Sequence, residues 1–168
     1  MFGDINQFFE IGENDNILIQ KGQNLTRKET IGGEIPVVAG GKVPSCYHNK
    51  FNREGNIISV SSSGANAGYI NYWSKPIFAT DCNTVKSIDE SKLNTIFLYH
   101  AMLLHQDELY ELQKGNAQPH IYEKDIKKIK IPNVSIELQD EFAIYVEDID
   151  KLKFVPCTAT SLTLLTLL

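Results

Sequence analysis

Three short stretches combine small side chains with amide and basic groups: "AGGK" at 39–42, "SSSGANAG" at 61–68 and "KGNAQPH" at 114–120. Small residues let a backbone approach another surface closely. The amides of Asn66, Asn116 and Gln118 each carry a donor beside an acceptor, the pair that can read a base edge. Lys42, Lys75 and Lys114 are the cations that could hold phosphates beside them. Taken singly, each stretch is equally an ordinary hairpin or helix-end loop.

Catalytic patterns do not assemble. Gly64 and Gly68 are four residues apart, no GxxxxGK[ST] follows, and "GYINYW" continues as a strand where a phosphate loop needs a helix N-terminus. No GxSxG elbow surrounds Ser61, Ser62 and Ser63. His100 and His105 are five apart on the expected helix, so they point different ways and make poor joint metal ligands. His48 and His120 lack ligand partners at metal spacing. The pairs Asp89-Glu90 and Asp107-Glu108 lie in solvated contexts flanking a helix. A non-catalytic protein is favoured, with no metal site.

The elements that must position these stretches follow from periodicity. "NILIQKGQNLTR" suggests a short strand and a turn at Gly22, and "EIPVVAGGKVPSCY" gives two extended pieces around Gly40-Gly41, since Pro36 and Pro44 exclude a helix interior. "GNIISVSSS", "GYINYWS" and "PIFATDCNTVKSI" are three expected strands. "SIDESKLNTIFLYHAMLLHQDELYELQKG" is expected as one helix stopping at Gly115, with Leu93, Ile96, Phe97, Met102, Leu103 and Leu104 on a broad apolar face. A last helix begins near Ser135, a suitable N-cap. Its Leu138, Phe142, Tyr145, Ile149 and Leu152 repeat every seven residues, the seam of an association helix or of one packed on its own domain.

The chain of 168 residues can bury a core without a staple, and its three cysteines form no CxxC pair, so a reduced, cytoplasmic setting is expected. The apolar window "LNTIFLYHAMLLH" is too short and too polar to span a bilayer, so no membrane partner is expected. The net charge of −5 argues against a polyanion partner until its distribution is read. Residues 35–86 carry five bases against two acids, and residues 112–130 again five against two. From Glu137 to Asp150 six acids face no base. Segregated charge keeps polyanion binding open for the two basic segments, while solvated faces of opposite sign account for it too.

Taken in order, the segments resemble the target recognition domain of type I restriction-modification DNA specificity (S) subunits. The residues that carry this are "GGEIPVVAGGKV" at 32–43, "GNIISVSSSGANAGYINYWSKPIFATDCNTVK" at 55–86 and "FLYHAMLL" at 97–104. "GNAQPHIYEKDIKKIKIP" at 115–132 matches the family's G-x-x-Q-x-x-I element and its I-x-I-P. "IELQDEFAIYV" at 136–146 is similar to the start of the spacer helix, with Gln139 at the usual glutamine. Together they cover roughly residues 17–152, and five weak motifs in the right order are specific.

The resemblance implies an α+β fold: a twisted, mostly antiparallel sheet or partial barrel with flanking helices, then a spacer-type helix. Residues 1–134 would be the recognition domain, 135–153 the spacer or dimerisation helix and 154–168 a tail that matches nothing in the family. Ser61, Ser62, Ser63 and His120 join Lys42, Asn66, Lys75, Lys114, Asn116 and Gln118 as candidate DNA contacts. A full subunit carries two such domains, so this chain is expected to be a half-subunit or a fragment. The implied partners are double-stranded DNA, a methyltransferase (M) subunit, the restriction (R) subunit through the complex, and a second half-subunit in a homodimer. No cofactor is expected in this chain; S-adenosylmethionine, ATP and Mg would belong to the partner subunits. The rival readings are a non-catalytic protein-binding module and an inhibitor docking on a methyltransferase subunit.

Overall fold

The computed structural model describes residues 7–113 and 118–153. Its centre is a four-stranded antiparallel sheet of β2 (Ile17–Lys21), β5 (Ile57–Ser61), β6 (Ile70–Trp73) and β8 (Cys82–Ser87), in the order β2-β8-β5-β6. A second sheet joins β3 (Ile35–Val38), β4 (Cys46–His48) and β7 (Phe78–Ala79) in the order β4-β3-β7, with β3 and β7 parallel. β1 (Phe8–Glu10) pairs with β9 (Lys130–Pro132) as a separate ribbon. Among the described residues the α-helices are α1 (Thr95–Leu103), α2 (Gln106–Glu111), α3 (Glu123–Ile126) and α4 (Ile136–Lys153). The architecture is α+β, antiparallel sheets with flanking helices.

Alternation along β5 explains why the central sheet is covered on both faces. Ile58 and Val60, opposite Tyr72 and Ile70, sit with Val85 in the main core beside Leu98 and Met102 of α1. Ile57 points the other way, into a smaller core with Val38, Ile77, Ala79 and Cys82. Trp73 packs on that second core and donates its indole N–H to Ser59 Oγ at 2.8 Å, so a polar position on the buried strand is satisfied. Each fully buried Ile or Val contributes roughly 1.5–3 kcal/mol before ordering costs. Two-sided cover turns all five residues of β5 into core.

Two expectations about elements are corrected. "PIFATDCNTVKSI" forms two strands in different sheets, because the chain turns at Thr80-Asp81; the Thr80 N–H donates to Val38 O at 2.8 Å. The single helix expected before Gly115 is two. The Asn94 side chain caps α1 by accepting from the Ile96 and Phe97 N–H groups at 2.9 and 3.1 Å. The helix then breaks at Leu104-His105, where Leu104 is left exposed and His105 Nε2 reaches the Lys130 carbonyl at 2.9 Å. Leu104 therefore leaves the apolar face that Phe97, Leu98 and Met102 bury, while Leu103 stays half-buried against the core.

α4 begins where Ser135 was expected to cap it, with Gln139 N donating to Ser135 O at 3.1 Å. Gln139 is 4% exposed and bonds at both ends of its amide. Its oxygen accepts from Asn94 N and its nitrogen donates to Val134 O, each at 2.9 Å. Phe142 stands edge-on to Phe97 and His100, with centroids 5.9 and 5.5 Å away. These contacts fix only the first half of α4. Beyond Val146 every described side chain of the helix is exposed.

Candidate nucleic-acid interface

The three small-residue stretches, read separately in the sequence, meet in space as far as they are described. The Ser61 hydroxyl donates to Gly40 O at 3.0 Å, tying the 61–68 loop to the 39–42 loop. Gly40 is required there, since a Cβ would lie 2.7 Å from Ser63 O. On the other side Gly64 N donates to Pro119 O at 3.2 Å, Ile121 N donates to Ser62 O at 3.0 Å, and Ser63 forms a bridge with His120. The turn at Asp81 anchors the junction. Its backbone carbonyl accepts from Ser62 N at 3.2 Å, and its carboxylate accepts the Ser63 hydroxyl.

Inside this junction the 61–68 loop turns through a 3-10 segment, Gly64–Asn66. Gly64 has φ +79° with open space around it, whereas Gly68 has φ +85° and a Cβ there would meet Leu109 Cβ at 3.0 Å. Two glutamines hold the exit of the loop. Gln106 accepts from Ile70 N at 2.9 Å and donates to Gly68 O at 2.8 Å, and Gln113 donates to Ala67 O. Neither stood out in the sequence; Gln106 opens α2, and Gln113 lies in the turn just past its end.

The candidate residues divide by exposure. Ser61 and Ser62 are 3% and 9% exposed, and their hydroxyls bond Gly40 O and Asn83 Nδ2. Both were expected to face DNA; here their side chains hold the loops together from within. Lys42 is exposed, with its ammonium 5.3 Å from the Tyr69 ring centroid, and Gln118 and His120 are exposed as well. Ser63 and Asn66 are half-buried. Lys75 lies past the far end of β6, in a shallow cleft with Tyr47 and Trp73, apart from the junction. Lys114 and Asn116 lie outside the described residues.

The seam of α4 divides in the same way. Leu138 and Phe142 are half-buried against the chain's own domain, while Tyr145, Ile149 and Leu152 are 60%, 39% and 71% exposed. Among the described residues no group of three or more His, Cys, Asp or Glu could hold a metal ion, and no helix is long and apolar enough to cross a membrane.

The fold is that of type I restriction-modification specificity subunits. The structure superposes on a crystal structure of the S subunit from Mycoplasma genitalium with a TM-score of 0.77 and 26% identity, over 90% of this chain and 41% of that one. The HsdS subunit of Thermoanaerobacter tengcongensis shares the fold at a TM-score of 0.61 and 18% identity, covering 87% of this chain and 37% of that one. In sequence, a putative type I specificity subunit of Mycoplasma genitalium is 30% identical over 119 residues, 70% of this chain and 31% of that protein. The type I restriction modification DNA specificity domain family matches residues 1–155, and the chain belongs to it. It spans about a third to two-fifths of the length of these relatives.

Proposed function

We propose that this chain recognises a short double-stranded DNA sequence for a type I restriction-modification system. It would direct a separate adenine-N6 methyltransferase and a motor-nuclease to that sequence. The observation that carries this reading is the convergence of the 39–42 loop, the 61–68 loop and Gln118–His120 on one surface. Lys42 at its rim supplies a phosphate contact, while Ser63, Asn66, Gln118 and His120 offer donors and acceptors at its centre. Lys75, Lys114 and Asn116 stay candidate contacts on the sequence alone. The chemistry would lie in the partners: the methyltransferase binds S-adenosylmethionine and flips the target adenine from the duplex, and the motor-nuclease uses ATP and Mg.

Residues 1–134 act as the recognition domain in this reading, and α4 as the spacer that docks a neighbour. The exposed Tyr145, Ile149 and Leu152 supply an apolar stripe for a second half-subunit or the methyltransferase. Titration of duplex DNA at about 50 and about 200 mM salt tests the DNA-binding part. Affinity is expected to be low and to fall steeply with salt, because a few lysines on a chain of net charge −5 must bind through counterion release. Binding indifferent to salt contradicts it.

A further inference from the structure

Beside the loop junction lies a cleft of about 680 Å³ that the sequence did not single out. Its floor is Asn83 of β8, 5% exposed, whose Nδ2 donates to Ser62 Oγ at 3.2 Å. An amide nitrogen carries two hydrogens, so a second donor remains. On the β2 side stands Lys21, paired in register with Asn83. The other side is the segment fixed to Ser62 O by Ile121 N, which presents His120, Tyr122 and Lys124. His120 stacks on Tyr122 with centroids 6.0 Å apart and planes 23° from parallel, and Lys124 Nζ lies 5.5 Å from the Tyr122 ring centroid.

Charge in this cleft is uneven in its availability. Two carboxylates line it: Glu123 pairs with Lys127 at 2.6 Å, while Asp81 accepts the Ser63 hydroxyl and keeps its charge. Among the described residues the two lysines therefore face one unpaired acid. Neither Lys21 nor Lys124 is ion-paired among the described residues. What the cleft has left to offer is two ammonium groups, an amide donor at the floor and an exposed phenol. That set is complementary to phosphodiester oxygens.

We propose that this cleft seats the sugar-phosphate strand flanking the recognised bases, with Lys21 and Lys124 as its phosphate contacts. The proposal rests on the DNA-recognition reading and adds a subsite to it. The strand would run past the junction that carries Ser63 and His120, so register would be set in the cleft and sequence read beside it.

The test is the salt dependence of duplex binding for the wild-type chain, a Lys21→Ala, Lys124→Ala double variant and Lys92→Ala as a control. Lys92 is exposed, pairs with Asp89 at 3.1 Å and lies outside the cleft. Each lost phosphate contact should flatten the log–log salt slope by about 0.9, or about 3.5-fold in the affinity lost between 50 and 200 mM. The double variant should flatten the slope by about 1.8, or about 12-fold over the same range, and the control should not change. A double variant with the wild-type slope overturns the cleft and leaves the DNA reading standing. A control that flattens as much as one cleft lysine also overturns it, since the effect is then bulk charge. A wild-type chain whose binding ignores salt overturns both.

Discussion

Ser61 and Gly40, twenty-one positions apart, are joined by a 3.0 Å hydrogen bond from hydroxyl to carbonyl, and through it two loops become one surface. The donor is buried, so its partner is not exchanged for water. Replacing Ser61 by Ala leaves the Gly40 carbonyl without this donor and should destabilise the chain by about 1 kcal/mol. Urea unfolding measures it. A change below a few tenths of a kcal/mol would mean that the junction is held without this bond.

Gln139 should matter more than its position on a mostly exposed helix suggests. Substitution by Ala removes both the acceptor for Asn94 N and the donor to Val134 O in a buried setting. The expected loss is about 2 kcal/mol, from unsatisfied backbone groups. Thermal unfolding of Gln139→Ala beside an exposed-face variant such as Glu141→Ala separates this from a general helix effect. Equal melting temperatures would contradict it.

Burial pushes the Cys82 thiol up from 9.0 to about 12, while Cys46 is exposed. A neutral-pH alkylating reagent should therefore label Cys46 in the folded chain and reach Cys82 only after unfolding. The sign of the linkage follows. The folded state holds the Cys82 proton more tightly than the unfolded state, so its contribution to stability is fully present below pH 9 and declines as pH rises toward about 12. Peptide mapping after alkylation at neutral pH checks the first point, and urea midpoints across that alkaline range check the second.

The exposed half of α4 is the expected association surface. Tyr145, Ile149 and Leu152 lie beyond the turn where Phe142 packs on Phe97, so substituting them does not disturb the core. Light scattering should show association of the wild type and loss of it in an Ile149→Asp, Leu152→Asp double variant. Monomers for both, with unchanged binding to the methyltransferase subunit, would place the helix outside any interface.

Much of this was legible in the residues, and the failures have physical causes. Alternation in Ile57–Ser61 and Ile70–Trp73 located the central hairpin, and the period of α4 located the last helix from Ser135. The β1–β9 ribbon was not read, because each strand has three residues and its partner lies at the other end of the chain. The helix break at Leu104-His105 carries no Gly or Pro; it follows from what His105 and Gln106 reach across the fold. Ser61 and Ser62 looked like ligand contacts because small polar residues serve both roles. Pairing with Cys82 of β8 and the bond to Gly40 O hold Ser61 inward, and the bond from Asn83 holds Ser62.

The recognition reading is tested most directly by mapping DNA methylation when the chain is paired with a methyltransferase subunit. The wild-type chain should direct methylation to one short sequence. Asn66→Ala and Gln118→Ala should each relax that choice, a good base contact being worth roughly 1–3 kcal/mol of discrimination. Lys42→Ala should lower methylation at all sites alike. Methylation maps identical for the wild type and for both amide variants would contradict the claim that the joined loops choose the sequence.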